Sequence, residues 1–157
     1  MNSLYVIATP IGNLEDISIR ALNVLSSVEL IAAEDTRVTL RLLKHYNINT
    51  KLISYHEHSK RSKVTKLANI LREADLALVC DSGTPVISDP GRELVKMAQE
   101  EGFNVVPIPG ASSIIAGVSV SGLDTTKFLF VGFFSFVLFR FFVVVFLFLD
   151  DFSDSSF

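Results

Sequence analysis

Several features that would place the chain in common protein classes are scarce or absent. Cys80 is the only cysteine among 157 residues, which excludes an intrachain disulfide and fits a reducing compartment. The net charge is −3, so the composition as a whole gives no sign of nucleic-acid binding, although a local basic patch can still attract RNA. The first residues carry neither a basic segment nor a small-residue cleavage site, so no secretory signal peptide is indicated. We therefore expect a cytoplasmic protein.

Two widespread nucleotide-binding motifs are also missing. Neither GxGxxG nor GxxxxGK[ST] occurs, so the sequence supports neither a standard dinucleotide-binding turn nor a Walker phosphate loop. His56 and His58 lie close together, but they have no cysteine neighbour, and a zinc site needs more ligands at suitable spacing. Cys80 ends a run (74–80) that reads as a buried strand, and no partner base is identifiable, which favours a small core residue over a nucleophile.

Phenylalanine is nearly absent from the first 127 residues and dominates the rest. Phe103 is the only one of the 13 phenylalanines that precedes residue 128. Residues 128–157 carry one base, Arg140, and three of the 17 acids, whereas residues 1–127 carry an ordinary soluble mixture of charges. The composition therefore predicts two segments, a folded domain over residues 1–127 and a Phe-rich tail over residues 128–157.

Short apolar runs alternate with amphipathic stretches along the first segment. Five runs rich in β-branched residues predict buried parallel strands: 4–8, 29–33, 51–55, 74–80 and 104–108. The stretches between and after them predict five helices. The first is capped by Asp16, the second follows Thr36 and the third follows Ser59. The fourth has Asp89 as N-cap and Pro90 at its first position, and the fifth begins near Ser112. This alternation predicts an α/β fold with an open, mostly parallel sheet and helices on both faces.

Three loops that follow predicted strands combine glycine with proline: TPIGNLED (9–16), DSGTPVISDPG (81–91) and PIPGASS (107–113). Glycine allows positive φ and close backbone approach, while proline stiffens the turn. Ligands of open α/β sheets bind at the carboxyl ends of the strands, where helix N-termini offer N–H groups. One such loop alone would indicate a turn, but three at one sheet edge predict a pocket for a polar, partly anionic small molecule.

Two charged segments follow the second and third strands. EDTR (34–37) either contacts a ligand at the sheet edge or forms a helix cap with an ion pair three or four residues apart. YHEHSKRSK (55–63) suits proton transfer by a histidine and contact with RNA phosphates, but also a solvated loop and helix start. The spacing alone leaves both pairs of alternatives open.

Taken together, these segments resemble a known family. ATPIGNLEDIS, AAEDTR, SYHEH, LVCDSGTPVISDPG and VVPIPGASS, followed by SGL, are similar in content and order to the motifs of the tetrapyrrole (corrin/porphyrin) methylase family, over about residues 3–133. The EDTR and HEH segments favour the branch of that family that methylates ribosomal RNA. The resemblance implies two α/β domains, with S-adenosyl-L-methionine folded into the cleft between them, and a homodimer. Residues 1–127 would be the N-terminal domain.

The implied reaction is methylation of the ribose 2′-hydroxyl of a cytidine in 16S rRNA, at the decoding centre of the small ribosomal subunit. Alternatives are methylation of a tetrapyrrole or corrin precursor, and a truncated product without enzymatic activity. A ribose hydroxyl is a poor nucleophile, so a general base is expected, for which His56, Glu57 and Asp35 are candidates. No metal is required.

Carried over position by position, the resemblance implies cofactor contacts by Pro10, Ile11, Gly12, Asp81, Gly83, Thr84, Pro85, Ile87, Gly110, Ala111, Ser112 and Ser113. The residues implied to face RNA are Arg37, His58, Lys60, Arg61 and Lys63.

The resemblance fades at FLFVGFF (128–134). Residues 128–149 contain a single charge and are long enough to span a bilayer as a helix. Against a membrane segment, Arg140 falls near the middle, where a charge is costly. The phenylalanine bias and the loss of lysine and glutamate favour out-of-frame translation instead. With either interpretation the second domain is missing, and we expect this chain to be inactive.

Overall fold

The computed structural model describes residues 1–56, 61–135 and 142–148. The chain divides into two compact units, Met1–Ser112 and a second that begins at Ser113. In the described part of the first unit, a five-stranded sheet is combined with four α-helices; the described part of the second contains one α-helix and a two-stranded sheet.

The first unit alternates strands and helices along its whole length. In chain order its elements are β1 (Ser3–Ile7), α1 (Ile19–Ser27), β2 (Leu30–Ala33), α2 (Thr36–His45), β3 (Lys51–Ser54), α3 (Arg61–Glu73), β4 (Leu76–Val79), α4 (Arg92–Glu100) and β5 (Asn104–Ile108). The strands lie in the order β3-β2-β4-β1-β5, and all neighbours are parallel. The predicted fold class and all five predicted strands are confirmed.

Helices cover both faces of this sheet, which explains why every residue of β4 is buried. Buried residues of α1 and α2, among them Leu25 and Leu43, pack on one face. Buried residues of α3 and α4, among them Leu67 and Leu94, pack on the other face. The chain therefore leaves the neighbouring strands β1 and β4 toward opposite faces, and a crevice opens at their carboxyl ends, where open α/β sheets bind ligands.

The first helix starts later than predicted. Ser18 is its N-cap, and the Oγ of Ser18 accepts a hydrogen bond from the N–H of Ala21 at 3.1 Å. The predicted cap, Asp16, instead ends a short 3-10 helix over Leu14–Asp16. The prediction was wrong because serine caps a helix as well as aspartate does, and the sequence offers both.

The start of α4 also differs. Gly91, with φ of 142°, is the N-cap and makes no side-chain capping bond, so Asp89 is not the cap and Pro90 is not the first helical residue. The carboxyl of Asp89 instead contacts the thiol of Cys80. The carboxyl of Asp89, which the local sequence pattern assigns to capping of α4, thus interacts outside the helix.

The second unit begins with α5 (Ser113–Ser119), close to the predicted start, and continues with β6 (Phe128–Ser135) and β7 (Phe142–Phe148). These two strands pair antiparallel. The alternative of a membrane-spanning helix over residues 128–149 is therefore contradicted at residues 128–135 and 142–148, which the structure describes as strands. None of the helices in the described ranges is long and apolar enough to cross a membrane. Out-of-frame translation and the boundary at residue 127 stay predictions.

Candidate functional site

The loops that follow β1 and β4 are joined by main-chain hydrogen bonds. The N–H of Thr9 donates to the carbonyl of Gly83 at 2.9 Å, and the N–H of Gly83 donates to the carbonyl of Thr9 at 3.0 Å. The buried hydroxyl of Thr9 donates to the carbonyl of Cys80 at 3.2 Å. Gly83 has φ of 80°, a conformation that glycine adopts without a steric penalty. These bonds extend the sheet beyond its strands and set the two loops side by side.

The third glycine–proline loop, after β5, joins the same edge. The N–H of Ala8 donates to the carbonyl of Ile108 at 3.2 Å, and the hydroxyl of Thr84 donates to the carbonyl of Ala111 at 3.4 Å. A Cβ atom on Gly110 would lie 3.0 Å from the Cβ of Ala8, so a side chain there would have to push Ala8 back by a few tenths of an ångström. The three loops of the sequence pattern therefore meet at one edge.

Asp81 ties this edge to the loop after β2. Its carboxylate accepts a hydrogen bond from the N–H of Asp35 at 3.0 Å, and its own N–H donates to the carboxylate of Glu34 at 3.3 Å. Each loop thus supplies one donor and one acceptor to the other. This reciprocal pair fixes the main chain of Asp81 while its side chain stays exposed.

A cleft of about 480 Å³ lies beside Asp81, between these loops and α2. Apolar side chains from the first loop and from α2 line it together with charged groups and main chain: Thr9, Pro10, Ile11, Gly12, Leu14, Val38, Thr39, Arg41, Leu42, Cys80, Asp81 and Ser82. Its size falls in the usual range for small-molecule sites. Four of the residues predicted to contact the cofactor border it: Pro10, Ile11, Gly12 and Asp81.

The residues of α2 in the cleft, Val38 and Arg41 among them, were missed by sequence reasoning. Their spacing reads as an ordinary amphipathic helix, and only the strand order shows that this helix starts beside β4. The neighbouring EDTR segment was the one local signal.

Asp35 is held by Arg37. Their side chains form an ion pair of 2.6 Å, and the carboxylate of Asp35 also accepts the N–H of Arg37 at 2.8 Å as the cap of α2. The side-chain hydrogen bond from Arg37 lowers the pKa of Asp35 to about 2. So low a pKa makes this carboxylate a poor proton acceptor at neutral pH. The cap and ion pair match the structural alternative for EDTR, with a spacing of two residues.

The buried thiol of Cys80 and the partly buried carboxyls of Glu34 and Asp89 lie close to Asp81. Burial raises the pKa of the Cys80 thiol to about 12, so it stays protonated and behaves as a core residue, as predicted. Burial also raises the pKa of Glu34, and the nearby charges of Asp81, Asp89 and Asp35 raise it further. The pKa of Asp89 is raised mainly by burial as well.

The raised pKa of Glu34 gives a pH-dependent prediction. Because the folded state binds this proton more tightly, Glu34 contributes stability below the ordinary glutamate pKa, and that contribution is lost as the pH rises through the raised value. Solvent screens the partly exposed carboxyl and limits the effect. We expect Glu34→Gln to raise the melting temperature by roughly 1–3 °C near pH 8 and by nothing near pH 4.

Differential scanning calorimetry at both pH values would measure this change. Glu29→Gln is a matched control with the opposite sign, because Lys51 lowers the pKa of Glu29 through an ion pair of 2.8 Å. An equal gain for the two variants near pH 8 would contradict the assignment to carboxylate crowding.

The other predicted site residues lie away from the cleft or outside the described residues. Ile87 is 59% exposed and lines a separate depression with His56. The ammonium of Lys63 donates to the carbonyl of Ser54 at 2.7 Å, at the end of β3. Pro85 is buried, Ser112 ends the first unit and Ser113 begins α5. Glu57, His58 and Lys60 fall outside the described residues, as does the side chain of Arg61.

Comparison with known proteins identifies the class. The sequence model of the tetrapyrrole (corrin/porphyrin) methylases matches residues 3–139, and the chain belongs to this family, whose members use S-adenosyl-L-methionine. Its fold matches uroporphyrin-III C-methyltransferase from Thermus thermophilus with a TM-score of 0.58 at 21% identity, over 81% of this chain and 55% of that one. It also matches cobalt precorrin-4 methyltransferase with a TM-score of 0.61 at 18% identity, over 80% and 52%.

More similar relatives are named ribosomal RNA small subunit methyltransferase I. The chain is 52% identical over 132 residues to the one from Halalkalibacterium halodurans, and this alignment covers 83% of the chain and 46% of the relative. It is 51% identical over 136 residues to that of Synechocystis sp., covering 86% and 49%. It is 49% identical over 131 residues to that of Escherichia coli O157:H7, covering 83% and 46%. The chain thus spans about half the length of these relatives, and the resemblance to the ribosomal RNA branch is confirmed.

Proposed function

We propose that residues 1–112 form one wall of the donor site of an enzyme that methylates small-subunit ribosomal RNA with S-adenosyl-L-methionine. The transfer assay below tests the expectation that this 157-residue chain is inactive by itself. The observation that carries this proposal is the cleft beside Asp81, bordered by two glycine–proline loops that are joined through Thr9 and Gly83 at the crevice of a parallel sheet. The named relatives at about half identity support an RNA acceptor, whereas the tetrapyrrole enzymes share only the fold.

The lining of the cleft suits this donor. S-adenosyl-L-methionine combines an adenosine with a charged amino-acid end and a sulfonium that carries the transferred methyl group. The apolar side chains of Ile11, Leu14 and Val38 fit the flat adenine, and the carboxylate of Asp81 fits a hydroxyl or a cation. Because methyl transfer to a hydroxyl is an in-line displacement, these residues contribute by positioning and by excluding water.

We propose the 2′-hydroxyl of a cytidine in 16S rRNA as the acceptor. Removal of its proton needs a base, and the low pKa of Asp35 disfavours that residue. His56 and Glu57 stay the candidates. The same proposal includes a cytoplasmic location, a role in ribosome biogenesis and a homodimer. Size-exclusion chromatography with light scattering would test the homodimer.

Two measurements test the function. Isothermal titration calorimetry should show binding of S-adenosyl-L-methionine to this chain; absence of binding would contradict the donor site. Tritium transfer from the labelled donor to 30S subunits that lack the modification tests the acceptor, with uroporphyrinogen III as the control acceptor. Alkaline hydrolysis of the labelled RNA then distinguishes methylation of a ribose from methylation of a base, because a methylated ribose blocks cleavage at its own nucleotide. Label on a base, or on uroporphyrinogen alone, would overturn the proposed acceptor.

A further inference from the structure

Helix α2 carries its positive charges on one exposed face. The exposed residues of the helix are two arginines, a lysine, a histidine and one leucine: Arg37, Arg41, Lys44, His45 and Leu40. Spacings of three and four residues place them on one side of the helix, over about 12 Å of its length. Leu42 and Leu43, on the other side, pack in the core. The ten residues of α2 include no acid, so no charge on the helix offsets this basic face.

The charges in the middle of the basic face lack acidic partners. Several other exposed bases of the described ranges form ion pairs with glutamates, namely Lys51, Arg72 and Lys96. Arg37 is paired with Asp35 at the start of α2. Neither Arg41 nor Lys44 forms an ion pair with a residue that the structure describes. These two positive charges are therefore presented to solvent, next to each other on one helix.

Hydrogen bonds fix both ends of α2 beside the cleft. At its start, the N–H of the N-cap Asp35 donates to the carboxylate of Asp81 at 3.0 Å. At its end, the hydroxyl of Tyr46 donates to the carbonyl of Leu14 at 2.7 Å. Asp81 and Leu14 border the cleft, and Arg41 borders it from the helix itself. The basic face therefore adjoins the cleft, in a position that is fixed at both ends of the helix.

An RNA acceptor brings a phosphate backbone close to the methyl donor. A row of unpaired bases on one helix suits contacts with successive phosphates, and the release of counterions from the RNA drives such binding. Contacts of this kind position the strand and carry little sequence information. The net charge of −3 disfavours RNA binding by the chain as a whole, so a local row of bases determines where the strand lies.

We infer that the basic face of α2 binds the phosphate backbone of the RNA segment next to the acceptor nucleotide, chiefly through Arg41 and Lys44. The inference rests on the proposed function and deepens it, because it names the surface along which the RNA reaches the donor cleft. Of the residues on this face, the family resemblance implies an RNA contact only for Arg37. The ion pair with Asp35 occupies that guanidinium, which leaves Arg41 and Lys44 as the main phosphate contacts.

Fluorescence anisotropy of a short labelled single-stranded RNA would measure its binding to the intact chain over a range of salt concentrations. We expect Arg41→Gln and Lys44→Gln each to weaken RNA binding by about threefold or more, and to lower the logarithmic dependence of affinity on salt by about 0.7. Lys44→Arg keeps the charge and should keep both the affinity and the salt dependence. Equal weakening by Lys44→Arg and Lys44→Gln would overturn the inference, because the charge would then not be what binds RNA.

A double variant with Lys51→Gln and Lys96→Gln is the matched control for the double variant with Arg41→Gln and Lys44→Gln. Both remove two positive charges from the chain. Lys51 and Lys96 are paired with glutamates, however, and neither borders the cleft. The control should therefore leave RNA affinity nearly unchanged. A loss as large as that of the α2 double variant would show that binding follows net charge alone and would overturn the inference. A lower molecular mass of the α2 double variant in light scattering would also overturn it, by assigning this face to contacts between copies of the chain.

Calorimetry with S-adenosyl-L-methionine separates failure of the inference from failure of the proposed function. Lys44 does not border the cleft, so Lys44→Gln should bind the donor as the unaltered chain does. Donor binding by an unaltered chain that binds no RNA would overturn the inference and leave the donor site in place. RNA binding that depends on Arg41 and Lys44, in a chain that binds no donor, would support the RNA surface and overturn the donor site.

Discussion

Replacing Gly91 by alanine is expected to destabilise the protein by about 3 kcal/mol or more, the largest effect that we expect for a single methyl group here. An added Cβ would lie 2.7 Å from the Cδ2 of Leu78 and 2.8 Å from the Cγ2 of Val86. Leu78 is fully buried in β4, and the backbone of Val86 is already strained, so moving either side chain aside is costly. The backbone φ of 142° adds a second penalty for any residue other than glycine.

Urea denaturation followed by circular dichroism would measure the free energy of unfolding. Gly102→Ala is a matched control at the other end of α4: its φ is 81°, but the nearest atom to the added Cβ is the Cε of Met1, at 3.6 Å. That substitution carries conformational strain without a clash and should cost about 1–2 kcal/mol. Equal losses for the two variants would show that Leu78 and Val86 do accommodate the methyl group.

Asp81→Asn is expected to weaken binding of S-adenosyl-L-methionine by roughly 10- to 100-fold, because hydrogen bonds to charged groups contribute about 1.5–3 kcal/mol. The asparagine oxygen can still accept the N–H of Asp35, and the N–H of residue 81 can still donate to Glu34, so the loop should keep its geometry. The substitution thus removes the charge from the cleft and leaves the wall in place.

Titration calorimetry of the variant would give the affinity directly. Asp16→Asn is the matched control, because Asp16 is exposed in the loop after β1 but does not line the cleft. A loss of melting temperature in Asp81→Asn would show that the carboxylate acts by holding the loop. Unchanged affinity with unchanged stability would remove Asp81 from the donor site.

The alternation of apolar runs and amphipathic stretches was sufficient to predict the sheet. Runs such as LALV have no polar face, so they fit a strand covered on both sides and little else. Helix starts were harder to predict, because several residues near each start can cap it. Asp89 illustrates the limit: its position suits an N-cap, but its carboxyl lies beside the thiol of Cys80, nine residues earlier in the chain.

The three glycine–proline loops of the site were predicted from the sequence, but the turn of the chain at Val86 was not. The family motifs imply cofactor contacts by both Asp81 and Ile87. In the structure the chain turns at Val86, Asp81 borders the cleft and Ile87 borders a separate depression, and the cofactor contact of Ile87 stays a prediction. A positive φ at valine has no signature in the sequence. The contribution of α2 was equally hidden, because it depends on β2 lying next to β4.

The central position of β1 has a consequence for the synthesis of the protein. Leu4 is paired with Leu76 on one side and with Val105 on the other, so β1 precedes the other four strands of its sheet in the chain but acquires its neighbours last. Until β4 and β5 have emerged, the apolar segment from Ser3 to Ile7 has no partner on either edge. Contacts between residues so distant in sequence make folding slow. During translation this segment therefore stays unpaired for longer than any other strand of the five-stranded sheet.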